Sequence, residues 1–115
     1  MAETVKMSKA YLIYEKRQDF TVKETYTDLL QICTSRSLTR AFVEAYVTNR
    51  IEDIANYCKK YNSDPEFIWT SCPEFSDEVL FNPDGFCYIS IGDNRTDSIV
   101  ELYSIMIKEV EVEDG

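Results

Sequence analysis

A chain of 115 residues carries 12 basic and 21 acidic side chains, four cysteines and no histidine. That length suits one domain able to bury roughly two-thirds of its unfolded surface. With 44% apolar and 13% aromatic residues it has material for a core, which excludes disorder for most of the chain. The formal charge of −9 opposes non-specific nucleic-acid binding, because phosphate contacts need an excess of Lys and Arg. Without histidine, most catalytic triads, most zinc sites and a pH switch near neutrality fall away.

The charge is unevenly placed. Residues 1–60 hold ten basic and eight acidic groups, a balance of +2. Residues 61–115 hold Arg95 and Lys108 against thirteen acids, a balance of −11. The start, Met1 to Lys6, lacks the apolar core of a signal peptide, and no apolar run approaches the ~18 residues that span a bilayer. A cytoplasmic protein is expected, with 1–8 and 113–115 as flexible ends of a single domain 1–115.

Ala10-Tyr11-Leu12-Ile13-Tyr14, closed by Glu15-Lys16-Arg17, predicts a first strand. Tyr26 to Thr34 is ambiguous by periodicity, but its position before a strong helix start favours a second strand. Ser35 or Ser37 caps that helix, whose apolar face reads Leu38, Ala41, Phe42, Ala45 and Tyr46. Ile51, Ile54, Ala55 and Cys58 form a second set, rotated from the first. A break near Thr48-Asn49 accounts for it, giving two consecutive helices over 36–48 and 50–61.

Pro65 ends the second helix. The irregular stretch to Asp77 contains Phe67, Ile68, Trp69 and Phe75, which pack back on the core or meet a partner. Val79-Leu80-Phe81, then Asn82-Pro83-Asp84-Gly85, then Phe86 to Ile91, predicts a hairpin. The segment 98–112 is contested. Ser98 and Glu101 would cap a helix, whereas the β-branched residues favour a strand from about 102, with one parity change as a bulge gives.

Cys33, Cys58, Cys72 and Cys87 show no Cys-x-x-Cys pair, and three of them sit in apolar patterns, so they are expected to be reduced and structural. Three segments then stand out together: Lys9 to Glu15, Leu30 to Ser35 running into Arg40 to Glu44, and the closing Tyr103 to Val112. Over about half the chain this order resembles small phage and mobile-element proteins with a strand-strand-helix start and a Tyr/Ile/Glu-rich closing strand. The stretch Pro65 to Phe81 departs from that pattern. The resemblance implies a fold and a phage-type origin, which would set the protein in a host cytoplasm. It carries over no catalytic residue.

Chemistry-bearing clusters give little. Asp93, Asn94, Thr96, Asp97 and Ser98 are rich in oxygen but lack the spacing of a calcium loop, and a solvated turn is the better reading. No Gly-rich elbow surrounds a nucleophile, and three glycines do not make a phosphate loop. Lys16, Arg17, Lys23, Arg36, Arg40, Arg50, Lys59 and Lys60 with Tyr11, Tyr14, Phe20 and Tyr26 offer a local basic and aromatic surface. The acidic half opposes its use on nucleic acid.

The expectation is an α+β fold, an antiparallel sheet packed against two consecutive helices. The expected role is that of a non-enzymatic phage-type accessory protein without cofactor or metal. Through its acidic second half it would bind a host protein with a basic surface and inhibit a host defence (CRISPR or restriction) or nucleic-acid-handling complex. The partner-binding candidates are Asp64, Glu66, Phe67, Trp69, Glu74, Phe75, Asp77, Glu78, Asp84, Asp93 and Asp97, where acids interleave with aromatic anchors. The alternative is a structural protein that self-associates through Phe67-Ile68-Trp69. No direct nucleic-acid or membrane contact is expected.

Overall fold

The computed structural model describes residues 6–61, 68–70, 75–93 and 98–114. Their order is β1 (Lys6–Asp19), β2 (Glu24–Cys33), α1 (Arg36–Tyr61), β3 (Ile68–Thr70), α2 (Asp77–Leu80), β4 (Phe86–Asp93) and β5 (Ser98–Asp114). The strands form one five-stranded sheet in the order β2-β1-β5-β4-β3, with every neighbouring pair antiparallel. The α+β expectation holds.

The strand alternation of β1 decides which face α1 covers. Tyr11, Ile13 and Glu15 are buried, while Leu12, Tyr14 and Lys16 between them are half-buried. Across the β1–β5 ladder, Ile13 lies opposite Ile107, Glu15 opposite Ile105 and Arg17 opposite Tyr103, so the buried parity continues onto β5. The ladder runs unbroken from Lys6↔Asp114 to Asp19↔Glu101. Lys6–Ser8 and Glu113–Asp114, expected at the free ends, are therefore strand.

The helix begins where Ser35 Oγ accepts the Leu38 N–H at 3.1 Å. It then runs without a break to Tyr61, which corrects the expected division at Thr48-Asn49. The apolar residues facing the sheet are Val43, Val47 and Ile54, with Ile51 partly buried, and Thr39 joins them by donating its hydroxyl to the Ser35 carbonyl. At 100° per residue these five positions fall within an arc of about 120°, which a single straight helix presents. The face based on Leu38, Ala41 and Ala45 is corrected too, since all three are exposed. Val43 and Val47 bridge the two sets that otherwise look rotated.

The expected hairpin is half right. Phe86 onward is strand, but it pairs with β5, and Val79-Leu80 belong to the single turn α2, capped by Ser76. Leu80 is fully buried there. Gly85 closes the Asn82–Gly85 turn with φ +75, and a Cβ on it would lie 2.5 Å from the Ile105 carbonyl oxygen, so both backbone and space require glycine. The contested segment is strand from Ser98. Tyr103, Ile105 and Ile107 face α1 while Val110 and Val112 take the other face, so no parity change occurs between them. The bulges fall elsewhere, at Tyr88 and Val100 in the β4–β5 ladder and at Leu30 in β2.

Candidate functional site

Glu15 sits on the buried parity of β1 at 7% exposure, where a carboxylate needs partners. Two elements supply them. Tyr46 of α1 donates its hydroxyl to Oε2 at 2.9 Å, and Arg50, one helical turn on, brings Nε to 3.5 Å from the same oxygen. Tyr88 donates to that oxygen as well. The β4 bulge lets Tyr88 and Ile89, adjacent in sequence, both be buried. Burial pushes the Tyr88 and Tyr46 hydroxyls well above the usual tyrosine range, and their bonds to Glu15 add to it.

Two residues along β1, Arg17 bonds Glu101 of β5 at 2.8 Å. Its guanidinium lies over the rings of Tyr26 and Tyr103, 5.9 Å and 5.6 Å from their centres, and Arg50 is 5.6 Å from the Tyr103 ring. The bond to Glu101 raises the Arg17 pKa, while burial pushes Tyr103 up to about 12. Between this network and β2 lies a cleft of about 260 Å³ lined by Glu15, Arg17, Tyr26, Asp28 and Arg50.

β2 itself is unlike its neighbour. Residues 24–29 are all exposed, as are Gln31 and Ile32, and the exposure does not alternate. Tyr26, Leu29 and Ile32 stand 46%, 51% and 53% exposed. As the terminal strand of the sheet, β2 has no strand on its outer edge among the described residues. Among the described residues, 24–29 are thus exposed and the outer edge is unpaired, a template on which another strand can pair.

No family model matches the chain, and no curated protein or solved structure matches it either. The reading rests on the geometry.

Among the described residues the sequence-predicted partner surface is not gathered. Phe75 packs against the core, Asp77 forms an ion pair with Arg40, and Glu78 and Asp84 are exposed in α2 and in the following turn. Trp69 opposes Ser90 and Asp93 opposes Ser98 along the backbone ladders, and their side chains lie outside the described residues. Asp64, Glu66, Phe67, Glu74 and Asp97 lie wholly outside them. Cys33 is a buried free thiol, and Cys87 Sγ donates to the Ile89 carbonyl at 3.3 Å. No described cluster of Cys, Asp or Glu is assembled as a metal site, and no described helix is long and apolar enough to cross a membrane.

The residues missed from sequence are Glu24, Asp28, Leu29 and Ile32 of β2, whereas Tyr26 belongs to the expected aromatic surface. No local signal marked them, because the openness of β2 follows from its place at the end of the sheet.

Proposed function

We propose that this chain is a non-enzymatic accessory protein that acts by binding another protein, with β2 as its principal contact. The observation that carries this reading is an exposed ten-residue edge strand bearing Tyr26, Leu29 and Ile32. A partner's strand, laid alongside, would satisfy the edge and cover these side chains. The titratable groups nearest to it speak for scaffolding, since Tyr46, Tyr88 and Arg50 all converge on Glu15. The net charge of −9 favours a partner with a basic surface and speeds the encounter. The phage-type resemblance points to a host defence or nucleic-acid-handling complex as that partner.

The test is capture from host lysate on the immobilised chain at low salt, followed by elution in rising salt. Retention of a basic protein that salt releases is expected. Retention of no basic partner, or binding indifferent to salt, contradicts the reading. The alternative, self-association at Phe67–Trp69, draws on β3 being the opposite terminal strand. Light scattering on Trp69→Ala separates the two, because only a self-associating chain loses mass.

A further inference from the structure

The open strand has a different chemistry on each face. Cross-strand partners share a face, so Glu24, Tyr26 and Asp28 lie with Asp19, Arg17 and Glu15 on the α1 side. Thr25, Thr27, Leu29 and Ile32 lie with Gln18, Lys16, Tyr14 and Leu12 on the other. One face of β2 is thus acidic with an aromatic ring, and the other is apolar and β-branched.

We propose that β2 accepts an extended segment of the partner protein as a sixth strand. The segment is basic at the alternate positions beside Glu24 and Asp28, and apolar at those beside Leu29 and Ile32. This rests on the protein-binding reading above and specifies its mode. Two observations favour basic residues. Glu24 lies opposite Asp19, whose carboxylate is already held by Thr21, while Glu24 itself has no ion-pair partner among the described residues. Asp28 has no ion-pair partner among the described residues, and it lines the cleft in which Arg17 is held by Glu101 and Arg50 by Glu15. A Lys or Arg from an added strand meets there a carboxylate that has no ion pair among the described residues.

A second copy of this chain fits poorly. β2 contains two acids and no base, and antiparallel pairing centred on Tyr26 sets Glu24 of one copy against Asp28 of the other. Like charges in that relation oppose pairing.

The test uses two synthetic peptides of the length of β2, one alternating Lys with Val and the other Glu with Val. Affinity is measured by titration calorimetry at low salt, and the contact is located by amide hydrogen exchange. The variant is Glu24→Lys combined with Asp28→Lys, both at exposed positions, with its fold checked by circular dichroism. The Lys/Val peptide is expected to bind the unaltered chain and slow exchange along β2. The variant should lose about tenfold in affinity for it and gain affinity for the Glu/Val peptide. No binding of the Lys/Val peptide, protection confined to other strands, or an affinity the variant leaves unchanged overturns the proposal. So does a free chain that is dimeric with β2 already protected. A basic partner captured from lysate that the double variant still retains overturns this mode alone. An unaltered chain that captures nothing overturns the broader reading with it.

Discussion

β1 and β2 are adjacent strands of one sheet, joined by a short turn, yet they live in different surroundings. β1 has a neighbour on each side and α1 over one face, so from Tyr11 to Lys16 its residues alternate between buried and half-buried. β2 has a neighbour on one side only, and its residues 24–29 all stand exposed. The difference teaches that similar strand composition serves two purposes here. Tyr11 and Ile13 of β1 hold the fold, whereas Tyr26, Leu29 and Ile32 of β2 remain available.

The comparison is broken most severely by removing what β1 buries. Glu15→Ala leaves the hydroxyls of Tyr46 and Tyr88 without their acceptor and Arg50 without its counter-charge, at a cost of about 3 kcal/mol or more in denaturant unfolding. Ile13→Ala, at a fully buried position, costs about 2–5 kcal/mol. If either variant were as stable as the unaltered chain, the Glu15 side of the sheet would not be the structural one.

A smaller effect comes from the tyrosines that serve Glu15. Their folded pKa values are raised, so the fold holds the neutral hydroxyl while the unfolded chain ionises near the ordinary value of 10.0. Their stabilisation is complete below that pH and is lost as pH rises toward the folded values. Unfolding midpoints measured through the alkaline range should therefore fall from about that pH upward. Tyr88→Phe should cost about 1 kcal/mol at neutral pH and make the alkaline fall shallower.

On β2 the stability effects are smaller again. Leu29→Ala and Ile32→Ala should each cost under about 1 kcal/mol, because half of each side chain is already in water. The same variants should weaken partner capture. A stability loss as large as that of Ile13→Ala would show that β2 is packed. The least effect is expected at the acid end. Thr21 holds the Asp19 carboxyl below its ordinary value and Tyr11 does the same for Glu109. Their contribution is present above the ordinary carboxylate pKa and is lost as pH falls through the lowered values. In the acid unfolding curve, Thr21→Ala should shift the midpoint only slightly, as both carboxyls are open to water.

Much of the fold could be read directly from residue order. A run of strand formers closed by Glu15-Lys16-Arg17 marked β1, Ser35 marked the helix start, and Tyr103-Ser104-Ile105-Met106-Ile107 marked β5, because each signal is local. The continuity of α1 was harder to see, since Val43 and Val47 complete its buried stripe only when counted with Ile51 and Ile54. α2 replaced an expected strand because Leu80 is buried against the core and Ser76 caps the turn, a tertiary demand on residues with strand-like composition. The Glu15 network joins residues 15, 46, 50 and 88, whose meeting depends on the sheet order. The openness of β2 depends on which strand stands next to it, which no local pattern encodes.

The most direct test follows amide hydrogen exchange residue by residue along β1 and β2, in the free chain and with its captured partner bound. The account predicts β1 protected in both states, with β2 exchanging quickly along its outer edge when free and slowly when bound. A β2 protected in the free chain, or one that stays open in the complex, would contradict it.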